Sequence, residues 1–93
     1  MQIEFDPAKR QLTLEHRGLD MAQAAAVFGS ACLTVEDDRK DYGEQRFITI
    51  GRLAARMVVL VWTPRGAARR IISMRKANDR EQKADGAELA ALD

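Results

Sequence analysis

A chain of 93 residues, 46% hydrophobic and 31% charged, has the composition of one folded globular domain, which excludes a disordered or fibrous protein. Its single cysteine, Cys32, excludes an intrachain disulfide, and its longest apolar run, residues 57–62, is too short to cross a bilayer. The net charge of +1 is unevenly distributed, because residues 65–83 carry seven Lys or Arg against two Asp or Glu. We therefore expect a small cytoplasmic protein, without a secretory signal or a membrane contact, whose basic segment either binds a phosphate-rich partner or is simply solvated.

The first third of the chain predicts one strand followed by two helices. Residues 2–5 alternate polar and apolar side chains, as a half-buried strand does. Asp6-Pro7 is a typical helix start and Gly18 a typical stop, which together predict a first helix that runs to Arg17. Residues 20–29 then predict a second helix, because apolar residues recur there at i, i+3, i+4 and i+7.

The centre of the chain predicts four strands joined by short connections. They are expected over residues 32–35, 45–52, 56–63 and 67–74. The polar run Glu36–Gly43 predicts the loop between the first two of these strands, and Thr63-Pro64-Arg65-Gly66 predicts a β-turn between the last two. Because short turns join antiparallel neighbours, we expect these four strands to form an antiparallel meander.

A last helix is predicted from about Asn78, because Asn78 and Glu81 have the spacing of a capping box. The predicted class is therefore α+β, with the order β-α-α-β-β-β-β-α. Two N-terminal helices are expected to pack on an antiparallel meander sheet, followed by a C-terminal helix. We expect a single domain over residues 1–83 and a frayed acidic tail over residues 84–93, which has little to bury.

The chemistry of the chain is expected to reside where the basic last strand meets the last helix. Arginine there can donate two parallel hydrogen bonds to a phosphate and keeps its charge at any physiological pH. One histidine and one cysteine do not make a His/Cys metal site, and the acids of residues 36–41 are interrupted by Arg39 and Lys40, as in a solvated loop. Walker, Rossmann and nucleophile-elbow patterns are also lacking, so we expect no metal and no cofactor.

Several sequence motifs indicate a protein family more specifically than the charge of the chain does. They are Phe5-Asp6-Pro7-Ala8-Lys9, Arg17-Gly18-Leu19-Asp20, Ala25-x-Val27-Phe28, Asp41-Tyr42-Gly43-Glu44-x-Arg46, Val61-Trp62-Thr63-x-Arg65-Gly66 and Arg70-Ile71-Ile72-Ser73-Met74-Arg75-Lys76-Ala77-Asn78-x-Arg80-Glu81. Over about residues 3–82 the chain thereby resembles the BrnT toxins, the toxin half of a bacterial type II toxin–antitoxin system. The last segment is the most specific part of this resemblance.

The resemblance implies a RelE-like fold and metal-independent ribonuclease activity. It also implies a BrnA-type antitoxin, whose ribbon-helix-helix domain binds the operator DNA of the pair. Many family members carry Asn and then Lys-His-Gly in the first helix, where this chain has Thr13 and His16-Arg17-Gly18. His16 is thus displaced by one residue, or about 100° around a helix, from the family's histidine.

RNA cleavage suits these residues, because the 2′-hydroxyl of the substrate is itself the nucleophile and the protein supplies positioning and charge. Our hypothesis assigns Arg70 and Arg75 to the scissile phosphate and Arg46 to a further phosphate contact. Glu44 is the candidate general base, and Lys76 is the candidate for backbone contact or proton donation. Replacing Arg75 with Ala is predicted to abolish cleavage and to leave the fold intact.

Three further residues are assigned to RNA binding, namely Tyr42, which could stack on a base, and the basic residues Arg65 and Arg80. Arg69 is predicted to lie on the opposite face of the sheet from Arg70, because side chains alternate along a strand. For His16, the alternative to a catalytic role is a surface position or a role in helix capping.

Residue types leave other interpretations open. Each arginine could instead form a structural ion pair with Asp41, Glu44 or Glu81, and Tyr42 could cap the sheet edge. The same basic face could also serve a non-catalytic RNA- or DNA-binding module, or a protein that binds a partner chain. Cleavage of RNA in the presence of a chelator distinguishes the ribonuclease from both alternatives.

Overall fold

The computed structural model describes residues 1–92, in which one sheet is flanked by helices. The elements in chain order are β1 (Gln2–Phe5), α1 (Pro7–Arg17), a 3-10 turn (Met21–Gln23), α2 (Ala24–Gly29), β2 (Leu33–Glu36), β3 (Phe47–Leu53), β4 (Arg56–Arg65), β5 (Ala68–Lys76) and α3 (Asp79–Leu92). Within these residues, each helix falls short of the length and apolar character that a bilayer span requires.

The five strands form one mixed sheet in the order β1-β5-β4-β3-β2. Strands β2 to β5 pair antiparallel with their neighbours, whereas β1 pairs parallel with β5, from Gln2 opposite Ala68 to Phe5 opposite Ile71. The α+β class is confirmed, but the prediction of a purely antiparallel sheet is wrong. Turn signals report only on consecutive strands, and the partner of β1 comes last along the chain, after a connection long enough to permit parallel pairing.

Aspartate side chains cap the starts of α1 and of the 3-10 turn. Asp6 accepts a hydrogen bond from the backbone N–H of Ala8 at 2.9 Å, and α1 ends at Gly18, whose φ of 66° is left-handed. Asp20 accepts a bond from Ala22 N–H at 2.9 Å in the same way. The residues after Asp20 first form the 3-10 turn and only then α2, so the predicted second helix is divided in two.

The connection between β4 and β5 lies further along the chain than predicted. Pro64 belongs to β4 and is paired with Arg69, and the tight turn is formed by Gly66 and Ala67, with Gly66 at φ 57°. Pairing with β3 ends at Trp62, so Pro64 lies beyond the part of β4 that is paired on both sides. The missing N–H of proline is tolerated in such a position.

The start of α3 has the predicted capping box. Asn78 Oδ1 accepts from Glu81 N–H at 2.8 Å, and Glu81 Oε1 accepts from Asn78 N–H at 2.9 Å. The helix then continues past the expected boundary at residue 83 to Leu92, and it buries Leu89. Asp93, the last residue of the expected tail, lies outside the described residues.

The core lies between the sheet and the N-terminal helical region. Its fully buried members include Val58 and Leu60 of β4, Met74 of β5, and Met21 and Val27 opposite them. These strand residues alternate with side chains on the other side of the sheet. We call the side that packs on α1 and α2 the helix face, and the other side the second face.

Trp62 anchors one end of this core through both packing and hydrogen bonding. Its ring is stacked on Phe47 at 4.9 Å and lies edge-on to Phe28 at 5.4 Å between centroids. Its Nε1–H donates to Thr49 Oγ1 at 2.8 Å, and Thr49 shares a 2.8 Å hydrogen bond with Thr34. The polar atoms of this buried chain are therefore satisfied, as burial requires.

Candidate functional site

The two faces of β5 separate the arginines that are adjacent in sequence. Arg69 lies on the helix face, where its guanidinium carbon is 4.5 Å from the ring centroids of both Phe28 and Trp62. Arg70, opposite Thr63, and Arg75, opposite Val59, lie on the second face. These arginines are five positions apart, and they share a face because a register shift opposite Val61 and Trp62 interrupts the alternation along β5. Sequence alternation thus separates Arg69 from the candidate site correctly.

Glu44 joins two of the predicted arginines in the loop that precedes β3. Its carboxylate accepts from Arg46 Nε at 3.2 Å and from an Arg65 terminal nitrogen at 3.4 Å, although Arg65 lies 21 residues further along the chain. The Arg46 guanidinium carbon also lies 4.1 Å from the ring centroid of Tyr42. Four of the residues predicted from sequence therefore form one contact cluster, which we call the Glu44 cluster.

The same loop contains an ion pair that sequence reasoning did not assign to the site. Asp37, whose side chain is 1% exposed, accepts from Arg39 at 2.7 and 2.8 Å and from the hydroxyl of Tyr42 at 3.2 Å. The hydrogen bonds from Arg39 are the main cause of lowering the pKa of Asp37 to about 2. Asp37 and Arg39 thus support Tyr42, on which Arg46 stacks.

Arg75 is held by the first turn of α3. Its two terminal nitrogens donate to the two carboxylate oxygens of Glu81 at 2.7 and 2.8 Å, in a bidentate arrangement. These bonds are the main cause of lowering the pKa of Glu81 to about 2. They also raise the pKa of Arg75, against the opposing effects of burial and of the positive charge of Arg39.

Arg70 differs from Arg46, Arg65 and Arg75 because it has no counter-ion among residues 1–92. It is half-buried, and even Glu4, its register partner on β1, does not form an ion pair with it. Its cross-strand partner, Thr63, donates to the carbonyl oxygen of Gln45 at 2.7 Å. That bond places the base of the Glu44 cluster beside the strand position that carries Arg70.

The remaining predicted residues are less closely associated. Lys76 is exposed and follows Arg75 directly, so strand alternation directs it toward the helix face. Arg80 is exposed in the first turn of α3. His16 lies on α1, on the other side of the sheet from the Glu44 cluster.

The second face therefore presents three arginine-containing groups along one surface: the Glu44 cluster, Arg70 and the Arg75–Glu81 pair, of which the last has no net charge. Such an arrangement can bind successive phosphates of one strand, with a carboxylate and an aromatic ring nearby. Sequence reasoning missed Arg39 and Asp37, whose spacing in a polar loop resembled a solvated segment. Only the hydrogen bonds that join them to each other and to Tyr42 distinguish them.

A comparison with models of known protein families identifies the family to which the chain belongs. A sequence model of a protein family, described as the ribonuclease toxin, BrnT, of type II toxin–antitoxin systems, matches residues 5–81. That range includes all the site residues that were predicted from sequence. No curated protein matches the chain.

Proposed function

The chain belongs to the BrnT family of type II toxin–antitoxin ribonuclease toxins, and on that premise we propose that it cleaves RNA on the second face of its sheet without a metal ion. The observation that supports this site is Arg70, a half-buried arginine without a counter-ion among residues 1–92. Buried charges are normally paired, so an unpaired one is a candidate to bind an anionic ligand.

The proposed reaction needs no nucleophile from the protein. The 2′-hydroxyl attacks the adjacent phosphorus, its proton passes to the Glu44 carboxylate, and the bond to the 5′-oxygen breaks. A 2′,3′-cyclic phosphate forms, and the departing 5′-oxygen gains a proton from solvent, because strand alternation directs Lys76 toward the helix face. Arg70 and Arg46 stabilise the charge that develops on the non-bridging oxygens, which is the largest contribution expected in such a site.

The spacing of the arginines favours separate phosphates for Arg70 and Arg75. Their partners on β4, Thr63 and Val59, are four residues apart, so the Cα atoms of the two arginines are separated by about 13 Å. Glu81 holds Arg75 at the end of β5 next to α3. We therefore assign Arg70 to the scissile phosphate and Arg75 to a neighbouring one. Tyr42, Arg65 and Arg80 complete the proposed RNA contacts on either side.

A type II toxin has an antitoxin partner, and we propose that the partner here is a BrnA-type ribbon-helix-helix protein. In that arrangement the antitoxin binds the operator DNA, and the toxin reaches DNA only through it. The proposed place of action is the cytoplasm, where the RNA substrate is found.

Cleavage by purified protein in excess EDTA tests the enzymatic proposal. We expect a labelled RNA to be cut by the wild type and by Arg56→Ala, which makes the same charge change on the helix face, but not by Arg70→Ala. Tight binding without cleavage in the wild type would instead support a non-catalytic RNA-binding module.

A growth experiment tests the toxin role. Induction of the wild type should arrest growth, and co-expression of the antitoxin should relieve the arrest. Unaffected growth would contradict the toxin role.

A further inference from the structure

A groove of about 420 Å³ lies away from the Glu44 cluster, between α1 and the edge of β5. It exists because β1 pairs with β5 only as far as Ile71 and leaves the rest of that edge open. α1 crosses this open edge, and Lys9 and Arg17 donate to the carbonyl oxygens of Ile72 and Met74, at 3.3 and 2.8 Å. We call this space the α1 groove.

The polar lining of the α1 groove is basic or neutral. Lys9, His16 and Arg17 contribute to it, together with Thr13 and Ser73, and acidic residues are absent from its lining within residues 1–92. Lys9 and Arg17 are bonded to carbonyls, which carry no net charge, so their positive charges remain uncompensated. The groove therefore favours an anion.

A second groove of similar size shows that this charge is not a general property of the surface. It has a volume of about 450 Å³ and lies between the β2–β3 edge and α3, where Glu81, Asp85 and Glu88 contribute acidic groups. A polyanion is repelled there and attracted to the α1 groove. The two grooves thus differ in the sign of the ligand that they favour.

The size and lining of the α1 groove suit one nucleotide. Its volume lies in the range of small-ligand sites, and the exposed apolar side chain of Leu12 supplies a surface for a base. Hydroxyl and imidazole groups can hydrogen-bond a sugar or a base edge. Ser73 lies on β5 between Arg70 and Arg75, so the groove adjoins the strand that carries the proposed phosphate contacts.

We propose that the α1 groove binds a nucleotide of the RNA strand that flanks the cleaved bond. Lys9 and Arg17 attract its phosphate, while Thr13, His16 and Ser73 contact its sugar or base. This inference rests on the proposed ribonuclease function and adds to it a subsite on the other side of the β5 edge. It makes His16 a binding residue rather than a catalytic one.

Binding of a non-cleavable RNA tests the proposal directly. A fluorescent single-stranded RNA of eight nucleotides with 2′-O-methyl groups is titrated with the wild type, His16→Ala and Thr13→Ala. Gln11→Ala is the matched control, since Gln11 also lies on α1 but bonds Glu15 outside the groove. We expect each groove variant to bind about five- to tenfold more weakly and the control to bind normally.

Kinetics with cleavable RNA separate this inference from the function on which it rests. A flanking subsite predicts that the two groove variants raise KM while kcat changes little. If both variants bind and cleave as the wild type does, the inference is wrong and the ribonuclease proposal stands. If the wild type does not cleave RNA but the groove variants still weaken binding, the ribonuclease proposal fails and the subsite stands. Far-UV circular dichroism and denaturation confirm that each variant is folded.

Discussion

Replacement of Glu81 is the most informative perturbation of the site, because this carboxylate has two structural roles. It holds Arg75 through two hydrogen bonds and accepts the backbone N–H of Asn78 in the capping box. Glu81→Ala removes both interactions, whereas Glu81→Gln keeps an acceptor for the cap and removes the charge. The two variants therefore separate the ion pair from the cap.

The expected magnitudes follow from the exposure of the partners. Arg75 is 41% and Glu81 22% exposed, so the ion pair is worth about 0.5–1 kcal/mol after solvent screening. Loss of the capping acceptor costs about another 0.5–1 kcal/mol. Urea denaturation at pH 7 should show Glu81→Gln destabilised by about 0.5–1 kcal/mol and Glu81→Ala by about 1–2 kcal/mol.

The pH dependence provides a second signature of the same pair. The pKa of Glu81 is lowered from 4.5 to about 2 in the folded protein. The stabilisation that this produces is fully present above pH 4.5 and is lost as the pH falls through the folded value near 2. The difference in stability between the wild type and Glu81→Gln should therefore shrink from pH 5 to pH 2. A difference that stays constant over that window would refute the assigned ion pair.

Three further predictions concern the site and the core. Arg70→Ala should lower kcat for RNA by about a hundredfold or more, as loss of a charge-stabilising donor does, while Arg75→Ala should chiefly weaken RNA binding. Single-turnover assays with Arg56→Ala as the control check both predictions. An unchanged kcat in Arg70→Ala would contradict the assignment of Arg70 to the scissile phosphate. Gly51→Ala should cost about 1–3 kcal/mol in denaturation, because its Cβ would lie 2.9 Å from Ser30 Oγ and 3.0 Å from two neighbouring side-chain carbons; unchanged stability would mean that these neighbours can move. Leu60→Ala should cost about 2–5 kcal/mol by the same measurement, and a loss below 1 kcal/mol would contradict its place in the core.

Local hydrogen bonds explain why several features were predictable. The caps at Asp6 and Asp20 and the box formed by Asn78 and Glu81 each join groups two or three residues apart. The side chain and its backbone partner are then adjacent in any folded form of that segment. Their residue types are therefore enough to predict where these helices begin.

Strand alternation was predictable for the same reason, because it follows from backbone geometry alone. It placed Arg69 and Arg70 on opposite faces. It did not predict that Arg70 and Arg75, five positions apart, share a face, because that depends on the register shift between Val61 and Trp62. The ion pair between Arg75 and Glu81 was one of the alternatives that the sequence left open. Residue types did not decide it, because Glu44 and Asp41 offered the same charge.

The sequence alone thus determined the family, the class, the helix starts and the basic character of β5, all of which depend on neighbours along the chain. Only the tertiary structure decided that β1 lies parallel to β5, that Arg65 reaches Glu44 and that α1 encloses a basic groove. These features join segments that are tens of residues apart. Their formation depends on which strand edges and charges remain unpaired after the whole sheet has assembled.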